Sequence, residues 1–224
     1  MVNLFLIMSF FIIILIGYLL GSINTTVIIG KIYGVDVKKE GSGNAGMTNA
    51  MRVLGKKAGL WVILGDILKG VAACLIGYYI MELGYKDTYL LTYGKLAGGF
   101  SAVLGHVFPI YFKFKGGKGV LTSFAVLLTV SPIPALICLG IFIIVVLITK
   151  YVSLGSIISV FCFPFIAYWR LLKEKFFEPK NMIYFISLLC FSALVIIMHR
   201  SNISRLIKGN ENKVRIGKSK KYGG

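Results

Sequence analysis

Acidic side chains are scarce in this sequence. Eight Asp and Glu stand against 25 Lys and Arg in 224 residues, a formal net charge of +17. The carboxylates are scattered, so no cluster is placed to hold a divalent cation through oxygen ligands. That excludes a metal-dependent lipid phosphotransferase built on paired aspartates. Charge of either sign is low, at 15% of residues, while hydrophobic residues reach 57% and mean hydropathy is +0.85. A soluble domain carries about 25% charged and roughly 45–50% apolar residues, and a chain of this length has too little interior to hide the excess. A water-soluble globule is excluded, and with it a cytosolic metalloenzyme or a nucleic-acid-binding domain. Disorder is excluded too, because the chain is too apolar. Cysteine is rare: Cys74, Cys138, Cys162 and Cys190 each stand alone in an apolar run. They form neither a disulfide framework nor a zinc-ligand spacing, and read as small buried hydrophobes.

What is abundant is long apolar runs, and the expected architecture is an all-α integral membrane protein of seven transmembrane helices. Leu4–Ile23 has the length of a bilayer span and no small-residue cleavage site, so it reads as a retained first helix. Ala58–Ile80 is the second, carrying Asp66 and Lys69 inside it. Leu96–Phe112 is the third. Gly119–Thr149 is too long for one helix and contains Ser131-Pro132-Ile133-Pro134, which splits it into a fourth and a fifth. The fourth is short for a span and reads equally as re-entrant. Leu154–Trp169 and Met182–Met198 complete the set. Most Lys and Arg fall after helices one, three and five and in the C-terminal tail, which puts the C-terminus in the cytoplasm and the N-terminus outside. The opposite loop holding Arg170, Lys173, Lys175 and Lys180 is itself basic, so the bias is incomplete. Residues 1–208 read as one membrane domain and 209–224 as a basic tail.

Four polar segments interrupt the apolar runs. Gly41-Ser42-Gly43-Asn44-Ala45-Gly46-Met47-Thr48-Asn49 follows helix one, with Arg52 beyond it. Successive glycine amides can form an anion nest, hydroxyl and amide side chains add donors, and arginine adds a bidentate fork. The string also spells G-x-G-x-x-G with Asp66 downstream, but no strand pattern surrounds it and Asp66 lies in an apolar span, so the dinucleotide reading is rejected. The plain alternative is a flexible polar turn. Gly105-His106-Val107-Phe108-Pro109 leads to Phe114-Lys115-Gly116-Gly117-Lys118-Gly119, where a lysine between glycines can approach a phosphate. No Ser or Thr follows Lys118, so this is not a Walker A loop; alone, it is equally an ordinary basic loop. Ser153 and Ser156 can donate to an anion or cap a helix. His199 and Asn202 share a face if helix seven continues, with Arg205 three residues further; otherwise this is a stop-transfer tail. Asp66 and Lys69, three apart inside a span, are expected to pair structurally. All four segments fall on the same predicted side of the membrane, which suggests a site for phosphate-bearing substrates.

At these residues the chain resembles the bacterial acyl-phosphate:glycerol-3-phosphate acyltransferase family. The matching strings are Gly41–Asn49, Gly105–Pro109 with Phe114–Val120, and His199–Glu211, supported by Tyr18–Ile23 and Ser153–Ser156. Asn24 stands where that family usually has proline, Met47 where a smaller residue is usual, and Leu121 where alanine is common. The resemblance implies a seven-helix plasma-membrane enzyme with a cytoplasmic active site. Such an enzyme moves a fatty acyl group from acyl phosphate to the 1-position of glycerol 3-phosphate, giving lysophosphatidic acid and phosphate. It needs neither metal nor cofactor.

The residues agree with that chemistry. An acyl phosphate has a good leaving group, so the protein must hold two phosphates, stabilise an oxyanion and place one proton. The His-x4-Asp dyad of acyl-CoA-dependent acyltransferases is absent: Tyr111 and Ser204 stand at that spacing from His106 and His199. Expected acyl-phosphate ligands are Ser42, Gly43, Asn44, Thr48 and the Gly116–Gly119 loop with Lys118. Expected glycerol 3-phosphate ligands are Arg52, Lys118, Ser153, His199 and Asn202. Gly41, Gly46, Asn49, Gly117 and Arg205 complete the binding set. His199, Asn202 and Ser42 are the catalytic candidates, with either His199 or a substrate phosphate as base, the phosphate preferred; an acyl-Ser42 intermediate is the less favoured variant. His106 is as readily structural as catalytic. The competing class is a small transporter of anionic solutes, which would need polar groups reachable from both sides.

Overall fold

The computed structural model describes residues 4–171 and 178–214. Lys173, Lys175 and residues 215–224 of the expected basic tail lie outside that set. The described chain is helical throughout and divides into two compact units at Val130 and Ser131, the position of the Ser131-Pro132-Ile133-Pro134 break.

The first unit holds α1 (Leu4–Gly21), α2 (Thr25–Ile32), α3 (Met47–Leu54), α4 (Lys56–Glu82), α5 (Thr88–Val107) and α6 (Val120–Val130), with a short 3-10 turn at Ile110–Phe112. The second holds α7 (Pro132–Thr149), α8 (Val152–Leu171), α9 (Pro179–Met198) and α10 (Arg200–Ile207). Five segments are long and apolar enough to cross a bilayer: Leu4–Ile32, Lys56–Glu82, Pro132–Thr149, Val152–Trp169 and Pro179–Met198.

One expected span differs from the structure in its bounds, and another is as short as its sequence suggested. The third helix runs over Thr88–Val107, not 96–112. Its start is fixed by Asp87, whose carboxylate accepts hydrogen bonds from the Tyr89 and Leu90 amides at 2.9 and 3.0 Å. Lys95, which made this stretch look like a loop, is accommodated with its ammonium 4.9 Å from the Tyr78 ring centre, a cation–π contact. The fourth helix has 11 residues, about 16 Å at 1.5 Å per residue, well short of a bilayer core of about 30 Å. Helix one ends at Gly21, and Asn24 starts α2 as its N-cap, accepting from the Val27 amide at 3.1 Å. That cap explains what asparagine does where proline was expected: both start a helix, but only asparagine satisfies an orphan amide. Cys190 is exposed, contrary to its reading as buried, whereas Cys74 and Cys138 are buried.

The core of the first unit is made from small residues. α1, α4 and α5 pack against one another where glycines meet backbone. A side chain at Gly77 would run into the Gly94 carbonyl, and one at Gly94 into the Gly77 carbonyl. Gly17 opposes Gly98 in the same way, and Gly21 opposes Ala102. In lipid there is no hydrophobic drive between helices, so close backbone approach and dispersion hold them together. Bulky side chains are turned outward: Leu4, Phe11, Leu68 and Tyr79 are exposed, as are Ile144 and Ile148 of the second unit. Gly94→Val is therefore expected to cost about 1–3 kcal/mol through overpacking, read as a lower unfolding midpoint in detergent. Gly140→Ala, where a new methyl meets nothing within 4 Å, is expected to leave the midpoint no lower.

Candidate functional site

The Gly41–Asn49 loop gets its shape from Asn49, on the first turn of α3. The Asn49 Oδ1 accepts from the Ser42 amide at 2.8 Å, and its Nδ2 donates to the carbonyls of Val37 and Glu40 at 2.9 and 3.1 Å. Gly41 and Gly43 adopt left-handed backbone, with φ of +62° and +69°. A side chain at Gly41 would also strike the Asn49 Oδ1. Asn49 thus holds the loop together, and its amide is committed to this chain's own backbone. The Gly43 amide is spent on the Glu40 carbonyl and the Gly46 amide on the Asn44 carbonyl, so the loop is not an open nest of glycine amides. Its surface is made by side chains: Ser42 and Thr48 are exposed and Asn44 half-buried. Gly46 is the N-cap of α3, so the positive end of that helix opens onto the loop. Arg52, in the last turn of α3, is exposed and makes no ion pair among the described residues.

The second glycine loop folds back onto the end of α5. Lys113 and Phe114 are left-handed, with φ of 55° and 56°, an uncommon state for non-glycine residues that turns the chain around. The Gly116 amide then donates to the Val107 carbonyl and the Gly117 amide to the His106 carbonyl, each at 3.1 Å. Two amides expected to face an anion are therefore used to seat the loop. Gly119, at φ +76°, leads into α6, its carbonyl accepting from the Ser123 amide at 2.7 Å. Gly117 is where the two loops meet: a side-chain carbon there would lie 2.7 Å from the Ala45 carbonyl oxygen and would strike the His106 imidazole. Lys118 is half-buried in this loop. Basic groups crowd nearby. The Lys31 and Lys38 ammoniums lie 5.8 and 5.6 Å from the Phe112 ring centre. Burial, reinforced by Lys115, pulls the Lys38 ammonium below its ordinary pKa of 10.5 against the opposing pull of Asp36.

Beneath the loops lies a buried charge cluster. Asp66 and Lys69 pair at 2.8 Å, as their spacing implied. The Lys69 Nζ also donates to the Ile23 carbonyl at 3.0 Å and contacts the His106 Nδ1 at 2.8 Å. Thr25 donates to Asp66 at 3.3 Å. Asp66, Lys69 and His106 are 1%, 7% and 3% exposed. Among the described residues, no three His, Cys, Asp or Glu side chains gather as metal ligands would.

In the second unit the expected ligands converge on a carboxylate absent from the expected site. Glu211 Oε1 accepts from Ser153 Oγ at 3.1 Å and from Asn202 Nδ2 at 2.8 Å, while Oε2 accepts from Arg205 Nε at 2.7 Å. Residues 209–214 run back along the helices, with the Val214 amide donating to the Lys150 carbonyl at 2.8 Å. Glu211 was hard to see because its partners come from α8 and α10, and because a lone acid in a basic segment reads as solvated. The seventh helix does not continue through Asn202. It stops at Met198, His199 joins α9 to α10, and Asn202 lies on α10. His199 is buried, and its Nδ1 lies 2.7 Å from the Val195 carbonyl. A carbonyl only accepts, so Nδ1 carries a ring proton. A backbone carbonyl thus orients this histidine.

Glu211→Gln removes the charge that gathers three donors. It is expected to lower stability by about 1–3 kcal/mol, measured as a lower thermal midpoint in detergent. Glu211→Asp, one methylene short, is expected to fall between that variant and the parent.

Comparison with known proteins adds an independent line. Residues 11–209 match the family model described as glycerol-3-phosphate acyltransferase. A glycerol-3-phosphate acyltransferase of Clostridioides difficile strain 630 is 45% identical over 209 residues, spanning 93% of this chain and 97% of that one. One of Trichlorobacter lovleyi is 41% identical over 199 residues, spanning 89% and 94%. Among solved structures, the glycerol 3-phosphate form of PlsY, an integral membrane glycerol 3-phosphate acyltransferase, superposes with a TM-score of 0.77 at 38% identity, covering 92% of this chain and 96% of that one. The lysophosphatidic acid form of the same enzyme gives 0.75 over the same shares. With its loops, its helices and nearly its whole length matched, this chain belongs to the glycerol-3-phosphate acyltransferase family.

Proposed function

We propose that the protein transfers a fatty acyl group from acyl phosphate to the 1-hydroxyl of glycerol 3-phosphate, releasing lysophosphatidic acid and phosphate. The observation that carries the reading is the meeting of the two glycine loops at Gly117 and Ala45. It gathers Ser42, Asn44, Thr48 and Lys118 in one unit, next to the amides that open α3. Basic and hydroxyl groups set on glycine turns suit phosphate oxygens. Acyl phosphate suits a chain without a His-x4-Asp dyad, because its leaving group needs no strong nucleophile or separate acid.

Ser42, Gly43, Asn44, Thr48 and the Gly116–Gly119 loop with Lys118 take the acyl phosphate. Arg52, Lys118, His199 and Asn202 are assigned to glycerol 3-phosphate, and Ser153 joins them when substrate takes over the hydroxyl proton it now gives to Glu211. The 1-hydroxyl oxygen attacks the acyl carbonyl carbon, and Lys118 with the loop donors stabilises the oxyanion. The carbon–oxygen bond to phosphate then breaks, and inorganic phosphate leaves with the bonding pair. The hydroxyl proton goes to a substrate phosphate, whose second pKa near 6 makes it a competent base at neutral pH. His199, its Nδ1 held by the Val195 carbonyl, orients the glycerol hydroxyl through Nε2. Arg205 and Glu211 hold Ser153 and Asn202 in place.

Seven helices, α1 and α4 to α9, cross or enter the plasma membrane, α6 only partway. The positive-inside bias sets both glycine loops and α10 at the cytoplasm. The test is purified protein in detergent with palmitoyl phosphate and labelled glycerol 3-phosphate. Product is expected with chelator present and none with palmitoyl-CoA in place of palmitoyl phosphate; no product from palmitoyl phosphate would overturn the reading. Arg52→Ala and Lys118→Ala are expected to lower kcat/KM by about 10²-fold or more, the scale of lost transition-state donors. Normal rates in both would remove the assignment. His199→Ala is expected to act mainly on the KM for glycerol 3-phosphate. A kcat loss of about 10²–10⁴-fold at unchanged KM would instead make His199 the base.

A further inference from the structure

The buried cluster of Asp66, Lys69 and His106 has no part in the chemistry above, yet it ends at the seam between the glycine loops. An ammonium has three N–H donors and no acceptor. On Lys69 all three are claimed: by the Asp66 carboxylate at 2.8 Å, the Ile23 carbonyl at 3.0 Å and the His106 Nδ1 at 2.8 Å. A donor facing Nδ1 at that distance means Nδ1 carries no proton, so the ring proton is on Nε2. The Asp66 oxygen lies further from Nδ1, at 3.5 Å, than the Lys69 ammonium at 2.8 Å. The other side of the ring faces Gly117, close enough that any side chain there would strike Nε2 and lie 2.7 Å from the Ala45 carbonyl. His106 as a whole is 3% exposed. An N–H of a buried histidine is thus held at the junction of the two loops with its direction set from below.

We infer that Asp66 and Lys69 are positioning residues that lock the His106 imidazole with its Nε2–H toward the loop seam, and that this donor sets the spacing between the Gly41–Asn49 loop and the Gly116–Gly119 loop for phosphate-bearing substrates. The inference rests on the proposed reading of these loops as the phosphate-binding part of the enzyme, and deepens it. Fixing the seam from below acts on the alignment of the reacting groups more than on the grip of either substrate, so its loss falls on kcat. Misplacement by about 1 Å costs on the order of 10²-fold in rate.

The test is a pair of variants of the full-length protein in detergent, His106→Gln and His106→Asn. The glutamine amide nitrogen reaches the position of Nε2, while the shorter asparagine reaches only that of Nδ1. His106→Gln is expected to keep most of kcat and His106→Asn to lose about 10²-fold, with the KM for both substrates within about threefold of the parent. Lys69→Met is expected to behave like His106→Asn. Equal kcat in the two His106 variants, or a loss confined to KM, would overturn the inference. A parent protein that forms no product from palmitoyl phosphate would instead overturn the functional reading. A second measurement needs no turnover: nitrogen NMR of histidine-labelled protein. It is expected to show His106 with its proton on Nε2 in the parent and a changed tautomer balance in Lys69→Met. A proton on Nδ1 in the parent would end the inference.

Discussion

The Lys69 ammonium is the group on which the first unit depends. A charge taken out of water is tolerated only when its hydrogen-bonding capacity is met, and Lys69 meets it with three partners from three places in the chain. Asp66 lies one helical turn away on α4, Ile23 sits in the break between α1 and α2, and His106 ends α5. One side chain thereby ties together the helices that frame the glycine loops. The same rule shapes the second unit with the sign reversed. There the buried Glu211 carboxylate gathers Ser153, Asn202 and Arg205, and the donors thought to await an anion already hold one of the chain's own.

The glycines act by two different physical routes. Those of the helix crossings let backbones touch where lipid provides no other cohesion. Those of the loops allow left-handed turns at Gly41, Gly43 and Gly119, and, at Gly117, contact between the two loops over the His106 ring. The expectation of open amide nests was too simple. Much of the amide capacity is spent on seating the loops, which leaves Ser42, Thr48, Asn44 and Lys118 to meet a ligand.

The helical class, the proline break at Ser131 and Pro132 and the pairing of Asp66 with Lys69 were legible because each follows from local composition or spacing. The start of α5 was not. Thr88, Tyr93 and Lys95 look like loop residues until the Asp87 cap and the Tyr78 ring are in place. Glu211 and His106 stand within recognisable motifs, but their roles depend on partners far away in sequence, and no periodicity carries that information. His199 invited a continuous helix and instead marks a helix junction, with its Nδ1 2.7 Å from the Val195 carbonyl.

If buried charge holds the two glycine loops as one mouth, both loops must face the same side of the membrane, and sidedness is the most direct test. In a chain with its four cysteines replaced by alanine, Ser42→Cys and Lys115→Cys, both at exposed positions, are labelled separately in sealed vesicles with a membrane-impermeant maleimide. Both are expected to react only from the cytoplasmic side. Reaction of the two from opposite sides would contradict the shared mouth.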